Sequence, residues 1–121
     1  MAKAKTVKAV AASVKGRAGA DEGQALVEFA DDARCAQVSA TLALLSNPKR
    51  LKLLCILSDC DRSVEELVEA TGSSISAASQ QLKLLTLAGI LERRREGKHI
   101  FYSLGDARIR EILNLLKNLY S

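Results

Sequence analysis

The chain has few aromatic residues, one proline and one histidine. Its 121 residues include two Tyr, two Phe and no Trp, although 48% of them are hydrophobic. Aliphatic side chains must therefore fill the core, which favours helices packed against helices. No apolar run approaches the roughly 18 to 20 residues of a membrane span, so no contact with a membrane is expected. The lone histidine has no evident catalytic partner and no phosphate-binding loop stands out, so neither an enzyme nor a bound cofactor is predicted.

Cysteine is also scarce, with only Cys35, Cys55 and Cys60 in the chain. An odd number of cysteines without a short framework spacing argues against a disulfide-linked secreted domain. The first residues are basic but are not followed by the apolar core of a secretory signal. We therefore expect a reducing, cytoplasmic location.

Positive charge is concentrated at the start of the chain. The first 20 residues carry five Lys or Arg and no acid, which leaves 13 basic and 14 acidic residues for the rest. This contrast predicts a basic flexible tail over residues 1–22 and a folded domain over residues 23–121. The tail would either add weak, salt-sensitive attraction to DNA or be a solvated end without a binding role.

Local start and stop signals predict five helices. The first is expected from about residue 30 to 46, beginning as early as Gln24. Asn47-Pro48 suits the start of the second helix, because Asn caps and Pro fits the first helical position. Ser63-Val64-Glu65-Glu66 has the spacing of a capping box for the third helix, and Ser74 and Asp106 suit the caps of the last two.

Between the fourth and fifth helices the pattern changes to two extended runs, residues 90–95 and 99–104, around a short turn that contains Gly97. This pattern predicts a β-hairpin. The fold class is therefore mainly α with a small β-hairpin. Two short helices joined at Thr71-Gly72-Ser73 and followed by a hairpin indicate a winged helix-turn-helix.

The fourth helix is predicted to be the recognition helix, because its polar face contains no acid. Small hydroxyl residues allow the backbone to approach a duplex, and glutamine can pair with adenine in the major groove. A helix N-terminus also offers free N–H groups to a phosphate. The alternative is an ordinary solvated face. The predicted DNA-binding residues of this helix are Ser74, Ser76, Ala77, Ser79, Gln80, Gln81 and Lys83.

The hairpin would supply the second part of a DNA-binding surface. Its basic side chains could follow the phosphate backbone or enter the minor groove, whereas the alternative is that they only protect an exposed edge strand. Alternation along the strand places Arg93 and Arg95 on one face and Arg94 on the other. The predicted DNA-binding residues of the hairpin are Arg93, Arg94, Arg95, Lys98 and His99.

Four segments in the same order and spacing resemble the ArsR/SmtB-type bacterial repressors. They are LSNPKRL (residues 45–51), SVEEL (63–67), SAASQQL (76–82) and RREGKHIFYSL (94–104). The resemblance covers about two thirds of the chain. It implies a homodimer paired through the first and last helices, which binds a palindromic double-stranded operator and leaves it when an inducer binds. The apolar stripe of the last helix, from Ile109 to Tyr120, suits such pairing but could equally pack within one chain.

The inducer sites of metal-sensing family members are not matched. The family's thiol pair in the third helix falls where this chain has Ser63-Val64-Glu65, and its Asp-x-His motif in the last helix falls on Asp106-Ala107-Arg108. The only histidine, His99, lies on the hairpin. We therefore predict no zinc or nickel site.

LLCIL (53–57) and LLKNLY (115–120) instead resemble the sulfide- and persulfide-responsive dithiol-switch repressors. That resemblance implies that Cys55 senses a small reactive sulfur species and that its partner cysteine falls at Ser121. Ser121 is then either a replacement of cysteine that traps the reduced form or a natural loss of the switch. Cys35 and Cys60 are weaker candidates for sensing.

Two alternatives remain open. Three thiolates, from Cys35, Cys55 and Cys60, could gather arsenite or another thiophilic metal or metalloid as the inducer. The chain could also be a protein-interaction module, in which the glutamines do not bind DNA and the arginines only aid solubility.

Overall fold

The structure is a computed structural model that describes residues 20–121. The predicted tail, residues 1–22, lies almost entirely outside that range. The chain divides after Ala43 into two compact units. Within the described range it contains α1 (Ala20–Phe29), α2 (Asp32–Leu45), α3 (Pro48–Asp59), β1 (Arg62–Ser63), α4 (Val64–Thr71), α5 (Ile75–Leu87), β2 (Leu91–Glu96), β3 (His99–Leu104) and α6 (Ala107–Tyr120).

The first unit contains α1 and most of α2. The sequence allows one continuous helix from Gln24, but the structure has two. Asp31 ends that continuity, because its carboxylate accepts a hydrogen bond from the Arg34 amide at 2.8 Å and begins a new helix. The Arg34 guanidinium lies 5.6 Å from the ring centroid of Phe29 across the break. The apolar side chains of Val38 and Leu42 on α2 are exposed, at 39% and 49%.

The second unit begins at Leu44, and its helices start where the capping residues predict. The Asn47 side chain accepts hydrogen bonds from the amides of Lys49 and Arg50 at 3.0 and 3.2 Å. Ser63 and Glu66 form the predicted capping box. Ser74 caps α5 and Asp106 caps α6. The predicted winged helix-turn-helix is therefore confirmed, with α4 and α5 as its helix pair.

The hairpin belongs to a three-stranded antiparallel sheet with the order β1-β3-β2. Leu91 pairs with Leu104 at one end of the hairpin and Glu96 with His99 at the other. Gly97 forms the turn with a φ of 61°, which L-residues rarely adopt. The two-residue strand β1 was not predicted from the sequence.

Leucine side chains dominate the core of the second unit, as the scarcity of aromatic residues predicts. Ile75 is apolar but 64% exposed at the start of α5. Along α6 the stripe is buried only in its first half, because Leu119 and Tyr120 lie open to solvent. The buried core residues are Leu45, Leu53, Leu54, Leu57, Leu67, Leu82, Leu85, Ile90, Leu91, Tyr102, Ile109 and Leu113.

A short connection joins the recognition helix to the hairpin and to α6. The Ile90 amide donates to the Leu85 carbonyl at 3.0 Å, which closes the end of α5. The Ile90 carbonyl in turn accepts a hydrogen bond from the Gly105 amide at 2.8 Å, just before α6. A Cβ at Gly105 would lie 2.7 Å from Cγ of Glu92, so glycine allows this close approach. No helix among residues 20–121 is long and apolar enough to cross a membrane.

Candidate DNA-binding surface and thiol groove

The outer face of α5 contains no acidic side chain, and the exposed Leu84 and Leu87 lie among its polar residues. Ala78, Leu82 and Leu85 face the core, which leaves Ser76, Ala77, Ser79, Gln80 and Lys83 exposed on the other side. The Ser74 hydroxyl accepts a hydrogen bond from the Ala77 amide at 3.1 Å and so belongs to the cap of the helix. The structure therefore brings five of the predicted recognition-helix residues onto one accessible face.

Gln81 lies apart from this face. It is half-buried, and its Oε1 accepts a hydrogen bond from Nε of Arg50 at 2.8 Å. Arg50 also donates to the carbonyl of Leu44 at 3.2 Å. These hydrogen bonds connect Gln81 on α5 to the start of α3 in the free protein.

A cleft separates the end of α5 from the hairpin. It has a volume of about 330 Å³ and is lined by Lys83, Thr86, Leu87, Arg93 and Tyr102. Lys83 and Arg93 come from different elements and both line this cleft. A groove with cations on both sides suits a phosphodiester backbone.

Alternation along β2 divides the arginines as the sequence predicts. Arg93 pairs with Tyr102 and Arg95 with Ile100, which places them on one sheet face, whereas Arg94 pairs with Phe101 on the other. Near the turn, Nε of Arg95 donates to the carbonyl of Gly97 at 3.2 Å. Lys98 and His99 are exposed beside it. The tip of the hairpin is therefore a basic surface at some distance along the strand from the cleft.

Arg94 is bound to acidic side chains. Its guanidinium forms ion pairs with Asp61 and with Glu96, the latter at 3.0 Å from Nε, and lies 5.1 Å from the centroid of Phe101. Hydrogen bonds to Asp61 and then to Glu96 raise the pKa of Arg94 above its usual value. The guanidinium stays positively charged and is paired with two carboxylates of the protein.

Cys55 lies in a groove between α3 and α6. Its thiol is free and the residue is exposed. The groove has a volume of about 460 Å³ and is lined by Leu51, Cys55, Leu113, Leu116, Lys117 and Tyr120. Cys55 therefore shares this groove with Lys117 and Tyr120 of the last turn of α6, and Ser121 follows Tyr120 in the chain. The Ser121 hydroxyl donates a hydrogen bond to the carbonyl of Lys117.

The other two cysteines lie elsewhere. Cys35 is exposed in the first turns of α2, and Cys60 is exposed as the extended residue that ends α3. Within residues 20–121, no three His, Cys, Asp or Glu side chains are grouped so that they could hold a metal ion.

Several site residues were missed because their partners are distant in the sequence. Tyr102 and Leu87 line the cleft, Arg50 holds Gln81, and Asp61 holds Arg94. Arg50 lies one turn after the cap of α3, and Asp61 lies just before β1. Charged residues are common at both kinds of position, so the sequence alone did not indicate a role for them. Only the register of the hairpin, which sets Arg93 opposite Tyr102, could have indicated part of the cleft.

Comparison with known proteins places this fold in a family. Residues 47–93 match the family model "Bacterial regulatory protein, arsR family". The chain is 39% identical over 85 residues to the HTH-type transcriptional regulator YgaV of Escherichia coli, a match that covers 69% of this chain and 86% of that protein.

Two solved structures are similar as well. The crystal structure of the transcriptional repressor BigR from Xylella fastidiosa superposes with a TM-score of 0.71 at 38% identity, covering 74% of this chain and 92% of that one. The solution structure of a homodimeric winged helix-turn-helix domain from Mycobacterium bovis, a possible ArsR-family regulator, gives a TM-score of 0.65 at 30% identity, covering 74% and 85%. The chain therefore belongs to the arsR family of bacterial regulatory proteins and is a DNA-binding transcriptional repressor.

Proposed function

We propose that the protein is a cytoplasmic homodimer that binds a palindromic operator with α5 in the major groove and the hairpin along the adjacent backbone. The observation that carries this proposal is the cleft between Lys83 and Arg93, which connects the acid-free face of α5 to the basic hairpin. The exposed Gln80 is the residue best suited to read a base, since a glutamine amide can pair bidentately with adenine. Lys83 and Arg93 contact phosphates.

Exposed leucines support pairing of two chains. Leu42 on α2 is 49% exposed and Leu119 on α6 is 67% exposed, in two of the helices through which the chains are proposed to pair. Large apolar side chains at such positions indicate an interaction surface. The homodimeric relative from Mycobacterium bovis is consistent with a second copy as the partner. Sedimentation velocity should show a dimer for the native chain and a smaller species for Leu119→Glu.

Fluorescence anisotropy tests the DNA contacts with two duplexes, the region upstream of the protein's own gene and a scrambled version. We expect Gln80→Ala to weaken binding to the native duplex, by about 1–3 kcal/mol for each base pair that it reads. Its affinity for the scrambled duplex should stay the same, because a base contact adds little to non-specific binding. Lys83→Ala should weaken both equally. Equal loss on both duplexes for Gln80→Ala would remove the base-reading role.

For the inducer, we propose a reactive sulfur species that acts at Cys55. The thiolate attacks the outer sulfur of an organic persulfide, which forms a Cys55 persulfide and releases the organic thiol. A second thiol in the last turn of α6 could then attack Sγ of Cys55, forming a disulfide and releasing hydrogen sulfide. The groove shared by Cys55, Lys117 and Tyr120 supports this pairing, because it brings the thiol to the end of α6. The hydroxyl of Ser121 does not perform the second step.

Ser121→Cys tests this chemistry. In that variant, persulfide should release DNA, and mass spectrometry should show Cys55 linked to the introduced thiol. Adding Cys55→Ser should abolish both effects, whereas adding Cys60→Ser, which removes another exposed thiol of the same unit, should leave them unchanged. Persulfide-dependent release that persists without Cys55 would contradict the proposal. Release by arsenite in the native chain, lost in Cys35→Ser or Cys60→Ser, would favour the metalloid alternative.

A further inference from the structure

Arg94 is the basic residue of the hairpin that faces away from the cleft. Its register partner is Phe101, and its neighbours Arg93 and Arg95 lie on the opposite sheet face. One end of its guanidinium is ion-paired with Asp61, and its Nε donates to Glu96 at 3.0 Å. The Phe101 ring covers a face of the same group. The side chain is therefore held by three partners and directed to the protein.

Asp61 belongs to a different part of the fold. It stands between the end of α3 at Asp59 and the start of β1 at Arg62. In the sheet order β1-β3-β2, β1 pairs with the central strand β3, and β2 is an edge strand. The Asp61–Arg94 ion pair thus crosses β3 and connects the edge strand of the hairpin to the end of α3.

We infer that Arg94 is a positioning residue, which fixes the hairpin against α3 through Asp61 instead of contacting DNA itself. The inference rests on the proposed contact between the hairpin and the operator, because only then does the position of the hairpin affect affinity. It changes the role expected for Arg94 from the sequence, where it was grouped with the DNA-binding arginines. The hairpin carries Arg93 to the phosphates, and the Asp61–Arg94 pair holds Arg93 in place.

The two roles predict opposite effects for neutralising Asp61. If Arg94 contacts phosphate, Asp61→Asn removes a repelling charge and frees the guanidinium, so DNA binding strengthens. If Arg94 positions the hairpin, the same change releases the hairpin and binding weakens. The direction of the effect therefore decides between the two roles, whatever its size.

The experiment is a double-mutant cycle on operator affinity with Asp61→Asn, Arg94→Gln and both together. We expect each single variant to weaken binding about three- to tenfold, since a dimer loses two partly exposed ion pairs. The double variant should have the same operator affinity as the single variant that binds more weakly, because each substitution removes the same Asp61–Arg94 ion pair. The dependence of affinity on salt should keep its slope, as no phosphate contact is lost.

Asp59→Asn is the matched control, because Asp59 is an exposed acid two residues away that pairs with Arg62. It should not weaken binding.

Stronger binding by Asp61→Asn, or a shallower salt slope for Arg94→Gln, would overturn the inference. Additive effects in the double variant would overturn it as well. Arg93→Ala distinguishes this failure from failure of the proposed hairpin contact. A loss of affinity and salt slope in Arg93→Ala shows that the hairpin binds DNA even if the Asp61 result is negative. No effect of Arg93→Ala removes the hairpin contact itself.

Discussion

The cleft between α5 and the hairpin makes a quantitative prediction about salt dependence. Lys83 and Arg93 line it from two sides, and each is proposed to neutralise one phosphate in each half-site. Binding of a phosphate releases condensed counterions, so the logarithm of affinity falls with the logarithm of salt concentration by about 0.9 for each phosphate neutralised. Arg93→Ala removes two contacts from a dimer and should reduce the slope by about 1.8. Between about 50 and 200 mM salt, the native protein should then lose about 12-fold more affinity than the variant.

Fluorescence anisotropy with the operator duplex at five salt concentrations measures this slope directly. Arg108→Ala is the matched control, because it removes the same charge from a residue that is ion-paired with Asp106 at 2.8 Å. Its slope should equal that of the native protein. Lys83→Ala should match Arg93→Ala, since the two residues face the same opening. If the native protein and Arg93→Ala show the same slope of log affinity against log salt concentration, the assignment of the cleft to the phosphate backbone is refuted, even if their absolute affinities differ.

Three further predictions concern stability, measured by thermal unfolding at fixed protein concentration. Leu82→Ala should lower the free energy of unfolding by about 2–5 kcal/mol, because Leu82 is fully buried, whereas Leu84→Ala at a 43% exposed position should cost much less. Ser63→Ala should cost about 1 kcal/mol by removing the cap of α4. Hydrogen bonds from Ser63 lower the pKa of Glu66 below its ordinary value of 4.5. The ionised Glu66 carboxylate therefore stabilises the folded state above about pH 4.5, and this stabilisation is lost as the carboxylate is protonated at lower pH. The difference between native and Glu66→Gln should therefore shrink below about pH 4.5.

Helix starts could be predicted from the sequence because their chemistry is local. Asn47, Ser63, Ser74 and Asp106 each accept a hydrogen bond from an amide two or three residues ahead, and such bonds depend little on the rest of the fold. The hairpin was equally local, since its strands meet across the turn at Gly97. The acid-free face of α5 followed from the helical period alone.

Features that depend on distant partners could not be predicted. Gln81 and Gln80 are adjacent, and the hydrogen-bond partner of Gln81 is Arg50, 31 residues away. Arg94 is separated by 33 residues from Asp61, its partner. Strand β1 has two residues, too few to show the alternation of polar and apolar side chains that indicates a strand. It forms because Arg62 and Ser63 pair with Tyr102 and Phe101 of β3. In each case the sequence restricts the choices, and tertiary contacts decide among them.

The hydrogen bond between Ile90 and Gly105 has a mechanical consequence. It joins Ile90, three residues after the end of α5, to Gly105, two residues before the start of α6, so the two connections meet at one point. The far end of α6 borders the groove that contains Cys55. A displacement of the Ile90–Gly105 contact would therefore reach both the recognition helix and the helix that lines the Cys55 groove.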